Sequence, residues 1–183
     1  MVHKTSVLWE QIRTKTCLQR FDCGEEAIDE WAARKAYKQH SRGQSRVTVG
    51  YEEGSHVGAA FVSLSLTSQQ NGKLPKANHR DLWPRGAPVV YIDYLAVDRA
   101  RQGRRMGTAL LMRSLETAYQ VSQLVPVYGV ALRSLNDRTT AFYKRIGFEI
   151  APKEGIYPLM LMDIWSIKEL IESARRAVAA PSN

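Results

Sequence analysis

Pro88-Val-Val-Tyr-Ile-Asp-Tyr-Leu-Ala-Val-Asp98 runs through Arg99-Ala100 into Arg101-Gln-Gly-Arg-Arg-Met-Gly107, and Thr108-Ala-Leu-Leu111 follows. The first stretch is apolar on both faces, as a strand covered from two sides must be. Two glycines then break the pattern. Beyond them Leu111, Met112, Leu115, Ala118 and Tyr119 recur at helical spacing and define a buried face. A turn between a buried strand and a helix aims backbone N–H groups outward at the positive end of the helix dipole, a natural seat for a diphosphate. Arg101, Arg104 and Arg105 add charge around it. The glycine spacing fits neither a dinucleotide fingerprint nor a P-loop.

Working outward, Phe21-Asp-Cys-Gly-Glu opens a helix, with Asp22 as the expected cap and Glu25 completing a capping-box-like pair. Ile28, Trp31, Ala32 and Ala36 share its apolar face. Ser45–Glu52 and Val57–Leu66, joined by a turn at Glu53-Gly54, predict an antiparallel pair of strands. Thr67–Pro88 is polar and broken by Gly72, Pro75, Pro84 and Gly86, so a long loop is expected, with room for a helical turn. After the central helix come a strand at Val125–Leu132 and a helix from Asn136 to Ile146. Asn136 is its expected cap and Gly147 its stop, with Phe148 folding back onto Phe142. Phe148–Ala151 and Tyr157–Asp163 are the last strands. Ile164, Ile167, Ile171, Ala174 and Val178 stripe a final helix that packs on its own domain or on a second subunit. Alternating strands and helices require a partly parallel sheet and an α/β fold.

Composition narrows the function classes. The 183 residues are 44% hydrophobic and 24% charged, a globular balance for one domain, and 12 Gly and 7 Pro show no period. A membrane-spanning helix needs ~20 apolar residues in a row, and the longest apolar stretch, Leu124–Leu132, is shorter and contains Pro126. Met1–Gln19 mixes Lys4, Glu10, Arg13 and Lys15 with apolar residues, unlike a secretory leader, so no membrane association and a cytoplasmic location are expected. Cys17 and Cys23 make no disulfide framework, and His3, His40, His56 and His79 show no metal-ligand spacing, so no metal is expected. Cys23 reads as a small packed residue rather than a nucleophile. The net charge of +8 favours polyanionic partners. Arg34, Lys35, Lys38, Arg42 and Arg46 form an acid-free basic stretch, which is either a solvated face or a phosphate-binding one.

Leu95-Ala-Val-Asp98 with Arg101-Gln-Gly-Arg-Arg-Met-Gly-Thr-Ala-Leu-Leu111 resembles the acetyl-CoA segment of the GNAT N-acetyltransferase superfamily, whose signature is Arg/Gln-x-x-Gly-x-Gly/Ala. Asn136 with Ala141-Phe-Tyr-Lys-Arg-Ile-Gly-Phe148 resembles its later helix–Tyr–Gly-Phe motif. Phe21 to Trp31, Gly43-Gln-Ser-Arg46 and Tyr157-Pro-Leu-Met-Leu-Met162 resemble the GNAT-fold toxins of toxin–antitoxin modules. The resemblance implies a single GNAT domain over residues 1–183, with a core about 21–163, a mixed central sheet flanked by helices and an extra C-terminal helix about 164–179. It implies acetyl-CoA as cosubstrate, held by Leu95, Ala96, Val97, Arg101, Gln102, Gly103, Arg104, Arg105, Met106, Gly107, Thr108 and Asn136. It further implies charged tRNA and a cognate antitoxin as partners, and a homodimer is expected. Two positions depart from the pattern. Arg105 stands where the signature has its first glycine, so a positive φ there would cost energy, while its guanidinium can reach a phosphate directly. Where the toxins carry Gly-Arg, this chain has Asp93-Tyr94.

Acetyl transfer to an amine needs a held and polarised thioester, an unprotonated amine and a stabilised leaving thiolate. The resemblance assigns the first task to N–H groups near Leu95–Val97 and the last to Tyr143. A tyrosine near pKa ~10 gives its proton to a thiolate near ~8.5 only uphill, by ~2 kcal/mol. Tyr143 therefore either donates a hydrogen bond or has its pKa lowered by Lys144 or Arg145. Asp93, Glu53 and His79 are the candidate bases, and no spacing selects among them. An α-amine near pKa ~7.7–8.0 is already partly neutral and needs little help. On an aminoacyl-tRNA it would also engage Arg34, Lys35, Lys38, Arg42 and Arg46 through phosphates, with Asp93 near the acceptor. Three readings result: a toxin acetylating charged tRNA, a GNAT enzyme acting on a small-molecule or protein amine, and a binding module without catalysis, for which Arg105 argues.

Overall fold

The computed structural model describes residues 7–179, with side chains through Ala177, so Val178 of the final stripe has its side chain outside the described residues. Seven strands form one sheet in the order β1-β2-β3-β4-β5-β7-β6. The chain divides into two compact units whose boundaries fall inside β3, β4 and α4.

The first unit comprises residues up to Ser65 and Ile92–Ser114. It holds β1 (Val7–Gln11), α1 (Glu26–Arg34), α2 (Ala36–Ser41), β2 (Arg46–Glu52), most of β3 (Gly58–Gln69), the second half of β4 (Ala87–Val97) and the start of α4 (Met106–Ser122). β2 pairs antiparallel with both β1 and β3, and the register against β3 shifts at Gly50/Tyr51. Gly50 is required there, because a Cβ would lie 2.5 Å from the Trp9 ring. Trp31 and Ala32 of α1 and Ala36 of α2 are buried in one cluster with Phe61, and Ile28 packs against it partly buried, but the single helix expected to carry these residues is broken at Lys35. Helix α1 starts later than Asp22 predicts. Asp22 Oδ1 accepts from Gly24 N at 3.0 Å, Gly24 is left-handed, and Glu25 at the cap makes no side-chain bond. The side chain expected to cap the helix is used instead in a turn over a glycine.

The second unit comprises Leu66–Tyr91 and the residues from Leu115 onward. It contains α3 (Ala77–Leu82), β5 (Gly129–Arg133), α5 (Asp137–Ile146), β6 (Glu149–Ile150), β7 (Leu159–Asp163) and α6 (Ile164–Ala179). β7 pairs antiparallel with β5 and β6. β4 and β5 are neighbours in the sheet joined through α4, the crossover a parallel pair requires. The sheet is therefore mixed and the fold α/β, with a C-terminal helix, as expected. Ile167 and Ile171 of α6 are buried within this unit, while Ala174 is exposed.

Two expectations need correction. β5 begins at Gly129 rather than Val125: Leu124 and Val125 are exposed, and Val125 N still bonds back to Val121 O. Pro126, which has no N–H, delays the ladder. The stretch 67–88 is no irregular loop. β3 runs on to Gln69, a 3₁₀ turn covers Asn71–Lys73, and α3 follows. Its polar side chains organise it. Asn71 Nδ2 donates to the carbonyls of Arg80 and Trp83, Arg80 donates twice to Leu74 O, and Lys76 Nζ lies 2.6 Å from the Asp163 carboxylate. These bonds leave no trace in hydrophobic periodicity.

Lys73 Nζ meets Glu154 Oε1 at 2.5 Å, and Glu154 Oε2 accepts from Arg133 Nη1 (2.9 Å) and Leu159 N (3.0 Å). Burial alone would raise the Glu154 pKa, but the bonds from Lys73, Leu159 N and Arg133 outweigh it and bring it to about 2. A carboxylate whose folded pKa is depressed contributes stability above its unfolded value and loses it as pH falls through the folded one. The expected outcome is that Glu154→Gln lowers the Tm at pH 7, and that its thermal denaturation is flatter than wild type between pH 4.5 and 2. Parallel curves would refute this assignment.

Candidate functional site

In the first unit the turn after β4 is built by side chains rather than by the helix it feeds. Asp98 Oδ1 accepts from Ala100 N and from Arg101 Nη1, both at 3.1 Å. Arg101 Nε and Nη2 donate to Glu52 Oε2 at 3.1 and 2.9 Å, and Arg104 Nη1 lies 3.7 Å from Glu52 Oε1. Gln102 Nε2 donates to the carbonyls of Val97 and Cys23, both at 3.0 Å. Arg101 and Gln102, expected to touch a phosphate, thus have their side chains turned to the protein. Arg104 and Arg105 are exposed.

Gly103 and Arg105 both lie in the left-handed region, with φ of 78° and 60°. The conformation expected to cost energy at the signature's missing glycine is the one adopted. Ala109 N bonds to Arg105 O at 3.1 Å, which starts the α4 ladder. The N–H groups of Met106, Gly107 and Thr108 have no carbonyl one turn earlier within the helix, and they stand at the positive end of a 17-residue α4. A diphosphate fits this seat: backbone donors, two exposed guanidinium groups, and open space around Gly103.

Leu95 and Val97 are half-buried on β4 and Ala96 is buried. One position earlier, Tyr94 stacks on Trp31 (4.3 Å between centroids), which stacks in turn on Phe61 (5.8 Å). Asp93 Oδ1 accepts from Ser65 Oγ at 2.9 Å and Oδ2 from Ser63 Oγ at 3.2 Å. Burial raises its pKa despite those two bonds, making it a stronger proton acceptor than an exposed aspartate. Of the other candidate bases, Glu53 is exposed in the β2–β3 turn. His79 belongs to the second unit, where it is buried, with Nδ1 3.2 Å from Tyr128 Oη and its ring against Trp165. It is a packing residue.

Also in the second unit, Asn136 caps α5: its side chain accepts from Thr139 N, and the Thr139 hydroxyl accepts in return from Asn136 N. Gly147 ends the helix in the left-handed region. Both were expected from sequence. Phe148 folds back onto the ring of Tyr143, at 5.7 Å, rather than onto Phe142 as expected. Tyr143 is buried, and burial pushes its pKa up to about 12. Lowering by Lys144 or Arg145 is thereby overturned: desolvation dominates.

The basic stretch of the first unit is exposed throughout. Arg34 pairs with Glu30 at 3.1 Å, Lys35 forms the joint between α1 and α2, and Arg46 Nη1 reaches His40 O at 3.4 Å. Lys35, Lys38 and Arg42 follow at spacings of three and four, on one side of α2. Cys23 is half-buried, and burial together with Asp29 pushes its thiol up to about 12, so it is no nucleophile. No cluster of three or more His, Cys, Asp or Glu able to hold a metal occurs among the described residues, nor does any helix long and apolar enough to cross a membrane. Glu52, Ser63 and Ser65 escaped sequence reading. The Ser-Leu-Ser alternation on one strand face is the only signal that could have pointed to the Asp93 partners.

The first unit thus carries a buried strand, a turn and a helix N-terminus, and the second a buried tyrosine before a Gly-Phe stop, and all of these lie within the stretch that a known acetyltransferase family matches. The chain belongs to the acetyltransferase (GNAT) family, whose profile matches residues 9–148. A tRNA-acetylating toxin of Mycobacterium tuberculosis is 31% identical over 142 residues, spanning 78% of this chain and 84% of the toxin. Among solved structures, a tyrosine-to-phenylalanine mutant of KacT superposes with a TM-score of 0.83 at 26% identity, covering 90% of this chain and 98% of that one. AtaTR bound with acetyl-CoA gives 0.75 at 26% identity, again over 90% and 98%.

A left-handed non-glycine residue costs about 1–2 kcal/mol, of which a glycine would return ~0.5–1 kcal/mol through its freer unfolded chain. Arg105→Gly should therefore raise stability by about 0.5–1 kcal/mol in chemical denaturation. A loss of stability would mean that the Arg105 side chain makes compensating contacts.

Proposed function

We propose that this chain transfers the acetyl group of acetyl-CoA to the α-amine of an aminoacyl-tRNA, blocking translation as the toxin of a toxin–antitoxin pair. The observation that carries the reading is the turn of Gly103–Thr108, where two left-handed residues lead into the start of α4 beside the exposed Arg104 and Arg105 and leave three helix N–H groups without a partner inside the helix. The M. tuberculosis relative supplies the acceptor class. In this reading the N–H groups of Met106, Gly107 and Thr108, with Arg104 and Arg105, hold the diphosphate. Gly103 gives the backbone its approach, while Arg101 and Gln102 keep the turn in shape. Backbone groups of Leu95, Ala96 and Val97 hold the pantetheine arm and polarise the thioester carbonyl, and Asn136 is assigned to that arm by the family resemblance alone.

The amine nitrogen attacks the carbonyl carbon, the C–S bond breaks, the nitrogen loses a proton, and the CoA thiolate leaves and is protonated. An α-amine near pKa ~7.7–8.0 is substantially neutral at physiological pH and needs no strong base. With Tyr143 at about 12, full proton transfer to a thiolate of pKa ~8.5 would be uphill by about 5 kcal/mol. Tyr143 therefore stabilises the thiolate by donating a hydrogen bond, and its hydroxyl stays protonated at every physiological pH. Arg34, Lys35, Lys38, Arg42 and Arg46 bind tRNA phosphates, while Asp93 lies near the acceptor and orients its ammonium or amine. The chain acts as one GNAT domain over residues 1–183 in the cytoplasm, as a homodimer held in check by a cognate antitoxin.

Turnover of acetyl-CoA measured side by side on charged tRNA, a polyamine and a lysine peptide tests this. Charged tRNA should be acetylated and the others left unmodified; the reverse result would move the chain to a small-amine acetyltransferase, for which the buried carboxylate of Asp93 would be the recognising group. Tyr143→Phe should lower turnover about 10²–10³-fold and abolish growth arrest on expression while still binding acetyl-CoA; retained turnover would remove Tyr143 from the mechanism. Charge reversal of Lys38 and Arg42 to Glu should raise KM for charged tRNA and leave KM for acetyl-CoA unchanged. An unchanged tRNA KM would mark these residues as a solvated face.

A further inference from the structure

Glu52 lies at the end of β2, some fifty residues before the motif that marks the acetyl-CoA turn, yet its carboxylate is part of that turn. Arg101 presents Nε and Nη2 to Glu52 and Nη1 to Asp98, so two carboxylates take its donors, and only 27% of its side chain is exposed. Arg104 stands within 3.7 Å of the other Glu52 oxygen. The turn they flank contains Arg105 at φ 60°, a left-handed conformation disfavoured for any residue with a side chain. Within the helix Arg105 is held by the bond from Ala109 N to its carbonyl. The remaining restraint comes from before it: Arg101 on Glu52 and Asp98, and Gln102 on Val97 and Cys23.

A carboxylate beside a diphosphate seat has two opposed effects. Its charge repels the ligand, a modest effect for a partly exposed group in high dielectric. Its hold on a guanidinium, two N–H groups on one carboxylate oxygen, fixes geometry with charge-assisted bonds, which are stronger than neutral ones. If restraint wins, removing the charge weakens ligand binding; if repulsion wins, it strengthens it. The sign of the change separates them.

We infer that Glu52 is a positioning residue that acts through Arg101 to hold residues 99–107 in the diphosphate-receiving shape before acetyl-CoA arrives. The inference rests on the reading of this turn as the acetyl-CoA seat. The experiment compares wild type, Glu52→Gln, Arg105→Gly and the double variant Glu52→Gln with Arg105→Gly. Titration calorimetry with acetyl-CoA should show a roughly tenfold weaker Kd for Glu52→Gln, the equivalent of about 1.4 kcal/mol, and steady-state turnover should show KM for acetyl-CoA raised more than kcat is lowered. In the free protein, amide hydrogen exchange over residues 99–107 should accelerate while the strands of the first unit keep their protection. Glu52→Gln should cost less affinity in the Arg105→Gly background than in wild type, because glycine adopts the left-handed conformation without needing the brace, and Arg105→Gly alone sets the share that the lost guanidinium contributes. An unchanged or tighter Kd for Glu52→Gln, unchanged exchange, or an equal loss in both backgrounds would each overturn the inference. Failure of wild type to bind acetyl-CoA would refute the functional reading by itself, and the exchange comparison would still decide whether Glu52 braces the turn.

Discussion

The guanidinium of Arg101, clasped by Glu52 on one side and Asp98 on the other, is the contact on which the site depends. It ties the end of β2 to the turn after β4, and that turn decides where the N-terminus of α4 points. A helix dipole binds an anion only if its first amides are uncovered and correctly aimed. Here aiming requires two left-handed residues, one of them an arginine. The chain accepts local strain and offsets it with polar bonds from neighbouring segments, the usual arrangement where a binding geometry conflicts with backbone preference.

The central strand solves a second problem. A strand covered on both faces is ordinarily all apolar, yet β4 carries Asp93 and Tyr94 in its middle. Asp93 is tolerated because Ser63 and Ser65, two residues apart on β3 and hence on one face, direct both hydroxyls at it. Tyr94 is tolerated because Trp31 and Phe61 form a stack beneath it. A substituted strand thus keeps its burial without an unpaired charge, and burial raises the pKa of the carboxylate it carries.

Much of this was legible in the residue order, where local chemistry and long-range packing agree. The β4–turn–α4 unit, the Asn136 cap with its Gly147 stop, and the apolar face Trp31–Ala32–Ala36 all follow from periodicity and cap preferences, which act within a few residues. The unread parts depend on partners far away in the chain. Glu52 reads as the last residue of an ordinary strand until Arg101, forty-nine positions on, is placed against it. Residues 67–88 read as loop because their order comes from Asn71, Lys73, Lys76 and Arg80 bonding to distant carbonyls and carboxylates. Asp22 misled for a different reason: an aspartate before a glycine can close a turn or cap a helix, and only the left-handed Gly24 decides between them.

The clasp around Arg101 also changes how the positive charge of this turn should be counted. Four arginines lie between positions 99 and 105, but Arg99 faces Asp22, and Arg101 faces Glu52 and Asp98. What remains to attract a diphosphate from a distance is Arg104, partly answered by Glu52, and Arg105. Ionic strength acts on uncompensated charge within a Debye length of roughly 8 Å in physiological buffer. On the proposed reading of this turn, added salt therefore weakens cosubstrate capture far less than a tally of basic residues implies, because backbone amides would carry most of the recognition.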